Sequence, residues 1–301
     1  MKIVILGGSG YLATSICFYL KKKNKITLVT RNKKKINYKF KDVEIKETNY
    51  LSSKSLIKIF DKKDLVFHLV GTNSRFSEIN KKKSLDLKKK TTKSILEAAK
   101  ATNTKIIYFS TAQVYKNINK SNVNEDSKIE KRNQYVINHL AAESLILNDI
   151  KRNNSGHKII RLSSVFGMPF FYNSKETFSL IINSLCLQAI KEKKISIQDS
   201  SVIRNFIPIS MFKELQKYLF LKKKYNILNF GYKTISLIDI AKIIQKICLK
   251  SFNVSPKIIC KPNIKKRKLS TYQSKFFSIK KKKEIIVNEI SNLLKLIYKN
   301  A

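Results

Sequence analysis

Residues 2–13, read Lys-Ile-Val-Ile-Leu-Gly-Gly-Ser-Gly-Tyr-Leu-Ala, constrain the fold more than any other stretch of the chain. Ile3 to Leu6 is a short apolar run rich in β-branched residues, the pattern of a parallel strand buried on both faces. It breaks into Gly7, Gly8, Ser9 and Gly10, and Tyr11 to Leu20 then reads as a helix. A strand that ends in a glycine turn at a helix N-terminus makes a site for a pyrophosphate. Backbone N–H groups point at the anion, and the helix dipole favours its charge. Gly7 permits the turn, Gly10 lets the phosphates approach, and Ala13 lets the helix lie against the strand. The chain has only seven glycines and three of them fall here, so the turn is no by-product of composition. Gly7, Ser9, Gly10, Tyr11 and Leu12 are the expected anion-contacting residues.

The rest of the chain alternates strand and helix. Strands are expected at 26–30, 43–47, 65–70, 105–110 and 158–166, and helices at 52–60, 84–101 and 133–150. That alternation predicts an α/β fold with a doubly wound parallel sheet, its ligands at the carboxyl ends of the strands. After Pro169 the pattern changes to helix 176–192, strand 195–198, segment 204–209, helix 210–221, strand 225–230, helix 236–250, strand 257–260 and helix 284–299. The expected division is a dinucleotide-binding domain of 1–168 plus about 203–231, and a small substrate-binding lobe of 169–202 plus about 232–301.

Composition narrows the function classes. No apolar run reaches the ~20 residues that span a bilayer, and the first strand leaves no room for a secretory leader, so a cytoplasmic protein is expected. The four cysteines are isolated, with neither disulfide nor metal spacing, and no metal is expected. The formal charge of +42 suggests a polyanion partner. The excess is almost all lysine, scattered in short runs at helix ends and loops, alongside abundant Asn and Ile and no Trp. That is the signature of a biased base composition, and no aromatic-and-basic recognition motif accompanies it, so nucleic acid is not the expected partner.

Six motifs occur in a recognisable order: GGSGYLA at 7–13, DLVFHLVG at 64–71, STAQVY at 110–115, YVINHLAAE at 135–143, RLSSVFG at 161–167 and RNFIPI at 204–209. As a set the chain resembles the extended short-chain dehydrogenases/reductases of the NAD-dependent epimerase/dehydratase family, with a Rossmann sheet. The resemblance implies hydride transfer at a carbon of a nucleotide-linked sugar and a homodimer built on helices 84–101 and 133–150. It places the catalytic hydroxyl on Thr111 and the catalytic tyrosine on Tyr135, with Ser110, Ser164 and Arg204 toward the substrate. Leu69, Gly71, Tyr135 and His139 join the glycine turn around the cofactor. Arg161 is expected to pair with Glu143 as scaffold.

Four departures shape the expectation. The lysine that supports the family's tyrosine is His139 here, and the asparagine of the helix after the fourth strand is Lys88. The acidic pair of the family's dehydratases is Ala112 and Gln113, which argues against elimination of water. Thr30, Arg31, Asn32 and three lysines follow the second strand, where NAD-preferring members carry an acid, so NADP(H) is preferred and NAD(H) possible. Histidine is mostly neutral at pH 7 and stabilises a phenolate poorly. The sequence therefore predicts a slow keto-sugar reductase, with an epimerase and a catalytically impaired dinucleotide binder as alternatives.

Overall fold

The computed structural model describes residues 1–36, 41–116, 118, 122–170, 177–215, 219, 225–261, 271–276, 278–279 and 281–301. The chain forms two compact units, one of residues 1–116, 127–162 and 220–229, the other of 117–126, 163–219 and 230–301.

The first unit is built on a seven-stranded sheet. Its strands are β1 (Lys2–Leu6), β2 (Lys25–Thr30), β3 (Val43–Glu47), β4 (Leu65–His68), β5 (Lys105–Thr111), β6 (Lys158–Leu162) and β10 (Ile227–Phe230), in the order β10-β6-β5-β4-β1-β2-β3. The pairings from β3 through β6 are parallel. Strand order reverses between β1 and β4, where an open parallel sheet leaves a crevice for ligand. Helices α1 (Tyr11–Leu20), α2 (Ser53–Phe60), α3 (Ser74–Ile79), α4 (Lys81–Thr102) and α5 (Gln134–Asn153) connect the strands. Val4, Leu6 and Val66 of the sheet pack with Leu56 and Phe60 of α2 and Ile95, Ala98 and Ala99 of α4. Tyr108 and Ile159 pack with Ala142 and Ile146 of α5. Polar residues set the helix ends: Ser52, Asn73 and Asn133 cap N-termini, and Asn103 and Asn154 take the left-handed conformation after α4 and α5.

The second unit holds a three-stranded sheet, β11-β9-β7, of β7 (Ser164–Phe166), β9 (Ile203–Pro208) and β11 (Lys233–Ser236). It also holds the pair β8 (Lys194–Ile197) and β12 (Lys257–Cys260), and helices α6 (Ile181–Lys191), α7 (Leu237–Phe252) and α8 (Lys283–Lys299). Glu289 of α8 is buried and accepts N–H groups of Met168 and Ser210 at 3.1 and 3.2 Å.

Three expectations change. The run 158–166 is two strands, because Ser163 donates its N–H to Phe230 and the chain then leaves one sheet for another. Among the described residues of the segment 203–231, only Ile227–Phe230 joins the main sheet, while Ile203–Pro208 pairs with β7 and β11. Ile209–Glu214 is a 3₁₀ helix rather than the start of an α-helix. Its buried Ile209 and Phe212, with Leu215 after it, recur every third residue, the spacing that eclipses in a 3₁₀ helix. Most of the remainder of the expected 210–221 helix lies outside the described residues, as does residue 176, and the expected 176–192 helix is observed from Ile181, with Leu180 as its N-cap.

Candidate active site

The chain leaves β1 through Gly7 at φ +90°, a conformation that strains any other residue. Gly8 donates its N–H to the Val29 carbonyl at 2.7 Å, and Gly10 donates to Gly7 at 2.9 Å. Gly7 donates to the Tyr50 phenol oxygen at 3.0 Å, and that phenol donates to Val29 at 2.7 Å. A Cβ on Gly8 would lie 2.8 Å from both the Leu28 side chain and the Val29 carbonyl oxygen. Gly8 and Tyr50 thus hold the turn against β2, a role the sequence reading assigned to neither.

Helix α1 begins at Tyr11 with Gly10 as its N-cap, without a side-chain cap and without an acidic residue in its first turn. The first N–H groups of a helix have no acceptor within it. A dinucleotide's diphosphate fits this end, and Ser9, Tyr11 and Leu12 are half-exposed around it. The turn also borders β4: a Cβ on Gly7 would sit 3.3 Å from the Leu69 carbonyl. The Leu69 backbone therefore lies against the glycine turn, beside the β1–β4 crevice.

At the end of β2, Asn32 turns its side chain back to accept the Lys34 N–H at 2.8 Å. Arg31 is exposed, and its charge acts on Tyr50, whose phenol burial pushes up to about 12. The sequence shows no acid after β2, yet one stands there. Glu47 ends β3 opposite Thr30 and accepts the Lys33 N–H at 2.8 Å. A cavity of about 470 Å³ beside it is lined by Lys33, Lys46, Glu47, Asn49, Ser55 and Lys58. The charge around this loop is accordingly mixed rather than purely basic, a correction that only strand pairing reveals.

The second half of the site is polar and buried. Asn133 accepts the Val136 N–H at 2.9 Å and so starts α5 one residue before Tyr135. Tyr135 and His139 fall on one face at i and i+4, with ring centres 4.6 Å apart. Burial pushes the pKa of the Tyr135 phenol up, and the nearby Thr111 hydroxyl acts in the opposite direction. Thr111 itself is buried at the end of β5 and accepts the Gln113 N–H. Next to it, the buried Ser110 hydroxyl has no hydrogen-bond partner among the described residues. His139 Nδ1 lies 2.7 Å from the Tyr108 hydroxyl, and burial holds the imidazole well below its ordinary pKa. His68, 5.0 Å from Tyr108 between ring centres, is buried and neutral for the same reason.

Lys88 completes this cluster. It is buried on α4 and donates from Nζ to the Val70 carbonyl at 2.7 Å. The signal for it was in the sequence: Lys88 falls on the stripe of Thr91, Thr92, Ile95, Ala98 and Ala99 that α4 buries. Tyr108 and His68 gave less warning, since both read as strand residues. Arg161 and Glu143 form a buried two-pronged ion pair, with N–O distances of 3.1 and 2.6 Å, and Arg161 stacks 4.8 Å from the Tyr115 ring centre, as expected of a scaffold pair. Ser164 and Arg204 lie in the second unit, in β7 opposite Phe206 and in β9 opposite Ile235. Among the described residues no cluster of His, Cys, Asp and Glu could hold a metal ion, and no helix is long and apolar enough to cross a membrane.

The model of the NAD dependent epimerase/dehydratase family matches residues 3–210. Among solved structures, the chain is similar to a UDP-N-acetylglucosamine 4-epimerase from Methanobrevibacter ruminantium M1, in complex with UDP-N-acetylmuramic acid, at 19% identity and TM-score 0.81, covering 100% of this chain and 99% of that one. It is similar to a UDP-glucuronic acid 4-epimerase from Bacillus cereus, in complex with UDP-glucuronic acid and NAD, at 19% identity and TM-score 0.79, with 100% of both chains covered. An NAD dependent NDP-hexosamine 5,6-dehydratase involved in tunicamycin biosynthesis aligns at 16% identity and TM-score 0.77, over 100% of this chain and 98% of its own. No curated protein sequence matches the chain.

Proposed function

The chain belongs to the NAD dependent epimerase/dehydratase family, and from that membership we propose that it epimerises a nucleotide-linked sugar, with UDP-sugars the first class to test. The observations that carry this reading are the nearness of the Thr111 hydroxyl to the Tyr135 phenol, and the uncapped N-terminus of α1 behind the glycine turn at the reversal of strand order. A bound NAD(P) would supply the hydride acceptor and donor for this chemistry. Tyr135 takes the proton of the sugar hydroxyl and gives it back, and Thr111 holds the oxygen in place. The unpartnered Ser110 hydroxyl is available to a second sugar oxygen. Ser164 and Arg204 are proposed substrate contacts, Arg204 for the diphosphate, where a guanidinium can bind two oxygens at once.

The solved 4-epimerases favour epimerisation over the net reduction expected from the sequence. Reduction stands as the second reading because His139 is neutral. One incubation decides between them. Enzyme with a panel of UDP-sugars and catalytic NAD should interconvert 4-epimers without net change at 340 nm. Stoichiometric NADPH loss on a keto-sugar would make it a reductase. Preference for NADP(H) is tested separately by dissociation constants: Arg31→Ala should weaken NADPH more than NADH, and Glu47→Gln should strengthen NADPH.

A further inference from the structure

Lys88 is a buried base in the middle of the site, and its surroundings are unusual for a charge. Only 6% of it is exposed, and its ammonium or amine donates to the neutral Val70 carbonyl. From β5 it meets the Tyr108 ring at 5.2 Å. From β4 and α5 it meets His68 and His139, both held neutral by burial and by Lys88 itself. Of the other ionisable groups on α5, burial pushes the Tyr135 phenol up, Glu143 is bound by Arg161, Asp149 pairs with His157, and Lys151 and Arg152 are exposed in its last turn. Glu78 on α3 is exposed and takes up the Gln134 N–H. No carboxylate among the described residues pairs with Lys88, and burial lowers its pKa to about 7.

Its position links the two halves of the site. A Cβ on Gly71 would be 2.9 Å from Lys88 Nζ, so the amine lies directly under the strand end that borders the glycine turn. On its other side the Tyr108 hydroxyl, 2.7 Å from His139 Nδ1, leads to Tyr135. We propose that Lys88 is the proton-linked cation of the dinucleotide site: its amine takes up a proton as the anionic dinucleotide binds, and the ammonium then holds the positive charge that position 139 lacks. The step is a protonation by solvent. One N–H bond forms and nothing is oxidised or reduced. Anion binding and protonation reinforce each other because each relieves the cost of burying the other charge alone.

This rests on the dinucleotide reading, and the test separates the two. NADH binding is measured by calorimetry at pH 8 in buffers of different ionisation enthalpy, which counts protons. The wild type should take up between about half a proton and one proton per site, and its affinity should fall up to about tenfold per pH unit above 7. Lys88→Met, and Lys88→Gln as a second variant that keeps a donor for Val70, should bind with no proton uptake and a flat pH profile. Uptake that persists in a folded variant, or binding to wild type without uptake, overturns the assignment of Lys88 alone. Failure of wild type to bind any dinucleotide at any pH overturns the dinucleotide reading and this inference with it.

Discussion

At position 139 the structure reverses what the sequence alone predicts for a substitution. Read from the sequence, His139→Lys restores the family's cation and should raise turnover. In the fold, His139 sits within the field of Lys88. A second buried ammonium there faces the first, and like charges at close range in a low-dielectric interior oppose each other strongly. His139→Lys alone should therefore lower thermal stability and leave turnover no better than wild type. The double variant Lys88→Met/His139→Lys moves one cation rather than adding one, and its kcat should exceed that of either single variant by roughly tenfold. A double variant no faster than its parents would separate Lys88 from catalysis. Tyr135→Phe keeps the ring against His139 and removes only the proton carrier. It should cut kcat by about 10²–10⁴ with dinucleotide binding retained.

At the scale of elements, β4, β5, α4 and α5 press four ionisable groups, His68, Tyr108, Lys88 and His139, into one buried layer, and this sets how stability varies with pH. The unfolded chain binds a proton on each histidine below about pH 6.5, whereas folded His68, His139 and His157 resist it, His157 down to about 4. Stability should fall as pH drops through 6.5. Lys88 acts at the other end. Its folded pKa of about 7 lies below the unfolded value, so between pH 7 and about 10.4 the unfolded state binds more protons and stability rises with pH. Lys88→Met should stabilise the ligand-free protein by on the order of 4 kcal/mol at pH 7 and far less at pH 10, checked by denaturant unfolding at both. Much of this layer was legible beforehand. Strands such as Ile3–Leu6 and Ile106–Phe109 are continuous apolar runs, and Thr111, Tyr135 and His139 follow from motif and helical spacing. What the sequence concealed depends on partners far along the chain. Nothing local tells that Ser163 switches sheets, that Ile203–Pro208 pairs with β7, or that Glu47 folds beside the loop after β2.

For the whole molecule, the net charge of +42 bears on association as well as on solubility. The proposed homodimer would bring α4 and α5 of two copies together. The exposed stripe of α4 carries Lys82, Lys89, Lys93 and Lys100 against only Asp86 and Glu97, so two such faces meet with like charge. The screening length shrinks from about 30 Å at 0.01 M salt to about 8 Å at 0.15 M, so the repulsion between such faces weakens over this range. An interface held by surface ion pairs loosens as salt rises. This one should do the opposite, because salt removes a net repulsion and leaves apolar contact untouched. Sedimentation velocity from about 0.02 to 0.5 M salt should show the dimer fraction rising with salt, and Lys89→Gln with Lys93→Gln, which leaves this stripe with two lysines against two acids, should give the dimer already at the low end. A monomer at every salt, or a dimer that dissociates as salt is added, would rule out assembly through this face.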